Sequence, residues 1–218
     1  MILETNALSY DYGSGEKLQF PDLKVAAGEK IALMGASGSG KSTFLNLLSG
    51  VLPVQAGSIR LLGQSYKGLS PIQLDKIRAD HIGIIFQSLN LIPYLTGFEN
   101  AVLGLEFSRT RRAKIDDVTY KTTSLGHQLG LTSNILNRRP NELSVGQQQR
   151  IAVIRAMLGG PELILADEPT SALDPSATEK FISDLNSSVE SSSQAIIVIS
   201  HNPEIIPWFD RVIRIGRE

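Results

Sequence analysis

Nine consecutive residues, Gly35-Ala36-Ser37-Gly38-Ser39-Gly40-Lys41-Ser42-Thr43, follow the apolar run Lys30–Met34 with the spacing G-x-x-x-x-G-K-[ST]. The chemistry open to such a stretch is phosphate binding. Glycines let the backbone turn tightly and bring its N–H groups to phosphate oxygens, while the following helix points its positive end at the same anion. Gly35, Ser37, Gly38, Gly40 and Thr43 would form the cradle, and Lys41 would neutralise the β- and γ-phosphates. Ser42 places a hydroxyl where Mg²⁺, which prefers octahedral oxygen ligation, could take it. An ordinary glycine-serine turn would not account for strand, lysine and hydroxyl arriving together.

Phosphate loops occur in many unrelated ATPases and GTPases, so a second element must narrow the chemistry. In Leu163-Ile164-Leu165-Ala166-Asp167-Glu168-Pro169 an apolar run suited to a buried parallel strand ends in two carboxylates, and Pro169 stops further pairing. Carboxylates at the C-terminal end of such a strand meet the crevice where ligands bind. Side chains alternate along a strand, so the two acids take different roles. Asp167 is expected to hold Mg²⁺ and Glu168 to position or deprotonate an attacking water. A third element is Leu143-Ser144-Val145-Gly146-Gln147-Gln148-Gln149-Arg150. Ser144 and Gln147 fit a capping box ahead of the helix-periodic Ile151–Leu158, and an exposed capped helix start is a second anion site.

With these motifs in order, joined by Gln87 after His81–Phe86, Ser171-Ala172-Leu173-Asp174 after the acids and His201 after Ala195–Ser200, the chain resembles the ABC-type ATPases over essentially all 218 residues. The resemblance implies an α/β fold: a P-loop NTPase core of mainly parallel sheet, an N-terminal antiparallel β subdomain and an inserted helical subdomain. It implies ATP and Mg²⁺ as ligands and head-to-tail pairing with a second copy or a homologous ATPase subunit. Ser144, Gly146 and Gln147 of one subunit would then cover the γ-phosphate held by Gly35–Thr43 of the other. Gln87 resembles the glutamine that reaches Mg²⁺ and the attacking water. His201 resembles the histidine that contacts the γ-phosphate and orders Glu168, and Asp174 the aspartate that crosses the dimer interface. Tyr12 aligns with the adenine-stacking aromatic, although Tyr10 lies on the same face of a continued strand. One departure is Val145, where the family usually has glycine. A β-branched residue disfavours positive φ, so the change is mild if Val145 sits early in the helix.

The elements that must position these groups follow from the rest of the chain. Residues 1–34 read as short strands with turns at Gly13–Gly15 and Ala27–Glu29. Lys41–Ser49 reads as a helix stopping near Gly50, and Pro53–Gly68 as strand and turn. Residues 1–87 and 161–218 form the expected catalytic core of one domain, and 88–160 the helical subdomain. Within it, the basic patch Arg109–Arg112 reads as a solvated helix face; Ser187–Ser193 reads as a surface loop. The sequence has 21 Lys and Arg against 22 Asp and Glu, a formal charge of −1, so no basic field favours nucleic acid. Absence of cysteine excludes disulfides and thiol chemistry.

The start Met1-Ile2-Leu3-Glu4 has no basic, apolar signal pattern, and no stretch approaches the ~20 apolar residues that span a bilayer. A membrane role therefore needs a separate partner chain, and the resemblance implies that this is a permease, with the present chain peripheral on the cytoplasmic face of the inner membrane. Gly83–Gln87, Asn90–Pro93, Leu95-Thr96, Glu99-Asn100 and Gln147–Arg150 resemble the lipoprotein-release and macrolide-export group, whose permeases have four spans. Amino-acid importer ATPases share several of these matches, and a cell-division-type ATPase that gates a partner without moving cargo is the reading from another class. The chain ends soon after Arg214-Ile215-Gly216, which reads as the lack of a regulatory C-terminal domain.

Overall fold

All six residues of the strand Ala195–Ser200 are buried, so the sheet that contains it must be covered on both faces. In the computed structural model, which describes residues 1–13, 17–171, 173–189 and 193–216, this sheet is parallel throughout. Its strands are β4 (Lys30–Met34), β7 (Ile82–Ile85), β8 (Leu163–Asp167), β9 (Ala195–Ser200) and β10 (Arg211–Arg214), in the order β10-β4-β9-β8-β7. The near-continuous apolar runs of β4, β7, β8 and β9 are those of strands buried on two sides, whereas β10, at the sheet's edge, is only partly covered. Alternation divides them between two cores. Leu163 and Leu165 of β8, with Ile197 and Ile199 of β9, join one cluster; Ile164, Ala166, Ile196 and Val198 join the other.

That first cluster is shared with the helix after the glycine loop, α1 (Lys41–Leu48), and with a second sheet. This sheet is antiparallel and consists of β1 (Leu3–Asp11), β2 (Lys17–Gln19), β3 (Lys24–Val25), β5 (Ala56–Leu61) and β6 (Gln64–Ser65), with β1 pairing three neighbours. Phe20, just beyond β2, stacks on Phe44 of α1 with ring centroids 4.8 Å apart, tying this sheet to the loop's helix. Of the expected turns and loops, Ser14, Gly15, Ala172, Glu190, Ser191 and Ser192 lie outside the described residues.

Between β7 and β8 the described elements are all helical: α3 (Gly97–Val102), α4 (Arg109–Ala113), α5 (Val118–Gln128), α6 (Ser133–Leu136) and α7 (Val145–Met157), with two 3₁₀ turns. Ahead of them lies α2 (Pro71–His81), for which hydrophobic periodicity gives little signal because only Leu74, Ile77 and Asp80 are buried. Its start is marked instead by the Ser70–Gln73 capping box and Pro71 at the first helical position. Last among the described α-helices comes α8 (Pro175–Ser188), followed by a 3₁₀ turn at Pro203–Trp208.

Arg109, Thr110 and Arg112 are exposed, as expected of a solvated face, but Arg111 departs from it. Arg111 is buried at 4 % exposure and donates from Nε and Nη2 to the carbonyls of Leu158 and Ala156, at the C-terminal end of α7. Burial pulls its pKa down to about 10, so it stays charged at neutral pH. A guanidinium at a helix C-terminus satisfies orphan carbonyls and the negative end of the dipole.

Candidate functional site

The glycine loop leaves β4 at its carboxyl end, Asp167 ends β8, Gln87 follows β7 closely and His201 follows β9. All four therefore emerge on the same edge of one parallel sheet, where ligands of such folds bind. A crevice of about 500 Å³ opens there, lined by Tyr12, Ser37, Lys41, Ser42, Gln87 and Glu168 among others.

The loop's shape depends on its glycines. A Cβ on Gly35 would come within 2.3 Å of the Ile215 carbonyl oxygen, a backbone atom that cannot swing aside. Gly40 sits at φ 93°, in the left-handed region, as the residue before α1, and no side chain caps that helix. The first-turn N–H groups of α1 thus face the crevice without a competing cap. Lys41 is buried and donates through Nζ to the Gly35 and Ala36 carbonyls, both at 2.8 Å, curling the loop round its own ammonium.

Alternation along β8 places the first of the two acids. Asp167 continues the face of Leu163 and Leu165, which packs toward α1, and Ser42 Oγ lies 3.4 Å from its Oδ1. Burial pushes the Asp167 carboxyl up, partly offset by the Ser42 hydroxyl. A half-buried carboxylate beside a hydroxyl is a pair of hard oxygen donors that fits Mg²⁺, whose charge would offset the burial.

Glu168 leaves the strand at φ 43°, uncommon for a residue with a side chain. The turn is held by Glu168 N–H donating to the Ile199 carbonyl at 3.0 Å. Its carboxylate is thereby placed 3.2 Å from His201 Nδ1 and 3.9 Å from Lys41 Nζ. Strain of this kind, kept by surrounding contacts, concentrates at functional positions.

Strand β1 ends at Asp11, and this separates the two tyrosines. Tyr10 is buried in the core, whereas Tyr12 is 61 % exposed at the crevice, its hydroxyl 3.0 Å from Thr43 Oγ1. Tyr10 packs edge-on beneath the Tyr12 ring at 4.9 Å and supports it.

Ser144, Gly146, Gln147 and Asp174 do not line this crevice. Ser144 and Gln147 make a reciprocal capping box at the start of α7: Gln147 N–H donates to Ser144 Oγ at 3.3 Å, and Ser144 N–H to Gln147 Oε1 at 3.0 Å. Val145 is the first residue of α7, outside the left-handed region, with half its side chain in solvent. Asp174 caps α8, and the Ala177 N–H it accepts holds its carboxyl below the usual range.

Two residues of α7 reach the site from behind and carry no signal in the sequence beyond their place in a helix. Gln149 is buried and donates to the Pro169 carbonyl at 3.1 Å, next to Glu168. Arg155 donates to carbonyls of the loop after Gln87.

The chain is similar to known proteins over nearly its whole length. The family described as ABC transporter matches residues 18–171. The macrolide export ATP-binding/permease protein MacB of Rhodopirellula baltica is 36 % identical over 98 % of this chain, which spans only 31 % of that relative's length. The lipoprotein-releasing system ATP-binding protein LolD of Hydrogenovibrio crunogenus is 34 % identical, over 97 % of this chain and 92 % of its own. A dimeric bacterial ABC transporter cassette, MJ0796, superposes with a TM-score of 0.85 at 32 % identity, covering 99 % of this chain and 94 % of that one. A post-hydrolysis form of the same cassette, bound to ADP and Pi, gives 0.83.

Proposed function

The chain belongs to the ABC transporter family, and we propose that it is the ATP-binding and ATP-hydrolysing subunit of a bacterial exporter or extraction system, working as a dimer on a separate permease. One observation carries this reading. Gln87 and Glu168 join the glycine loop in one crevice, with Asp167 against Ser42 and His201 against Glu168, while the Ser144 cap lies outside it, so each chain would hold two half-sites that a second copy would complete.

In that reading the glycine loop and the α1 N-terminus hold the β- and γ-phosphates, and Lys41 turns from the loop carbonyls to the ligand. Tyr12 offers its exposed ring to the base. Ser42, Asp167 and Gln87 would hold Mg²⁺, which supplies charge neutralisation on the phosphate oxygens. Glu168 accepts the proton of the attacking water, and His201, within hydrogen-bond reach, orders the carboxylate. Ser144, Gly146 and Gln147 of the partner close the site, and Asp174 lies along the seam. ATP bridges the two chains and hydrolysis removes the bridge, so phosphate chemistry becomes opening and closing.

The helical segment 88–160 is the part proposed to carry this motion to the permease. Beside it runs a cavity of about 550 Å³ lined by Asp75, Arg78, Phe86, Phe107, Arg111 and Arg155, and Phe86 and Phe107 are both exposed there. Among the described residues no helix is long and apolar enough to cross a membrane, which suits a peripheral position on the cytoplasmic face of the inner membrane. The functions for which the relatives are named, macrolide export, lipoprotein release and, for BceA of Halalkalibacterium halodurans, bacitracin export, all favour outward movement or extraction.

Capture of the Glu168→Gln variant with ATP from its own membranes tests the assignment. A co-purifying permease with four spans and a large external domain is expected. A permease with six or more spans would move the reading to uptake, and no membrane protein at all would overturn the transport role.

Val145 gives a smaller prediction. Because its backbone is already helical, Val145→Gly should leave ATP turnover within about tenfold of the parent, equivalent to about 1.4 kcal/mol of barrier. A larger rise in a steady-state ATPase assay would mean that the side chain obstructs the seam.

A further inference from the structure

The loop after Gln87 has an unusual backbone. Leu89 and Asn90 both lie in the left-handed region, at φ 59° and 47°, a conformation that consecutive residues with side chains adopt only when their surroundings hold them. The local contacts are few: Leu89 N–H donates to the Phe86 carbonyl and Asn90 N–H to the Ser88 carbonyl. The decisive contact comes from elsewhere in the chain. Arg155, on the last turns of α7, donates from Nη2 to the Leu89 carbonyl at 2.5 Å and from Nη1 to the Asn90 carbonyl at 2.7 Å. One planar guanidinium thus fixes two successive carbonyls that the left-handed turn aims toward it. The next stretch is fixed separately by Asn100, fully buried, which bonds both N–H and carbonyl of Ile92. Between the two clamps and β7, Gln87 is exposed on the crevice.

Helix α7 begins at the Ser144 cap and carries Arg155 eleven residues later, roughly 16 Å along its axis at 1.5 Å per residue. We propose that Arg155 is a positioning residue for hydrolysis: through the Leu89 and Asn90 carbonyls it sets Gln87 in the crevice and ties its place to the helix that carries Ser144. A displacement of α7, as when a second copy engages Ser144, is then passed to Gln87 by a rigid helix and one bidentate contact. This rests on the ATPase reading and on the role given there to Gln87, neither of which assigns anything to Arg155.

The test is a double-mutant cycle between Arg155 and Gln87 in the full chain, with hydrogen exchange on the nucleotide-free protein. Arg155→Lys keeps the charge but replaces the planar fork of two nitrogens with a single, shorter-reaching ammonium, so the two-point contact is lost or weakened. It should lower kcat by about fivefold or more with the KM for ATP within about twofold, since positioning is lost and binding is not. In a Gln87→Ala background the same substitution should change kcat by less than about twofold, because the group it positions is gone. Exchange should quicken at amides 88–91 and not in α7. Equal losses in both backgrounds, or unaltered exchange at 88–91, would overturn the proposal. Arg155→Met, which keeps the stem without donors, is the second variant, and failure of both to fold would assign Arg155 to structure alone. If Gln87→Ala by itself leaves turnover intact, the role given to Gln87 fails, and the exchange measurement still decides whether Arg155 sets this loop.

Discussion

Glu168→Gln is expected to slow ATP hydrolysis by at least about 10²-fold, the lower end of what a positioned general base contributes, while ATP binding persists. The substitution is close in shape, and an amide can still approach His201, so the turn at φ 43° and its N–H bond to Ile199 should remain. What disappears is the negative charge that can take a proton from water. The same change removes the carboxylate 3.9 Å from Lys41, freeing the ammonium for phosphate, so affinity should hold or rise. With chemistry blocked and binding intact, the ATP-bridged dimer should accumulate. Single-turnover hydrolysis alongside size-exclusion chromatography with ATP measures both, and undiminished turnover would remove Glu168 from its role.

Much of this site was legible because its chemistry is local in sequence. The glycine loop, the acid pair and the Ser144–Gln147 box each lie within a few residues, where strand alternation and capping rules act directly. The acid pair was legible too, but the structure shows that a left-handed turn at Glu168, rather than alternation, aims its carboxylate at His201, while Asp167 stays on β8 beside Ser42. What stayed hidden depended on contacts distant in the chain. Tyr10 and Tyr12 share a period-two face, and only the end of β1 at Asp11 makes one core and the other surface. Arg111 sits in a run that looks solvated, yet the carbonyls it satisfies are 45 and 47 residues away. Arg155 reaches a loop 65 residues upstream through main-chain carbonyls, which exist at every position and leave no trace in residue types. Helix α2 was hidden for the opposite reason: its caps are plain, but too few of its residues are buried to produce a period.

Lys41→Met should cost ATP binding about 10²-fold, taking 1.5–3 kcal/mol for hydrogen bonds to a charged group and about 1.4 kcal/mol per tenfold. In the structure Lys41 Nζ is held by the Gly35 and Ala36 carbonyls. Methionine keeps the apolar stem packed and removes a buried charge, which offsets much of the loss of those two bonds. Intrinsic stability should therefore move little, and the effect should appear when ligand is added. At an ATP concentration 100 times the parent's Kd, binding stabilises the parent by about 2.7 kcal/mol, whereas a variant with Kd raised 10²-fold gains only about 0.4 kcal/mol. Thermal denaturation with and without ATP separates these cases. An unchanged ATP-dependent rise in Tm would show that the backbone N–H groups of the loop and of α1 hold the phosphates without the ammonium. A fall in Tm without ATP would show that Lys41 holds the loop together before any nucleotide arrives.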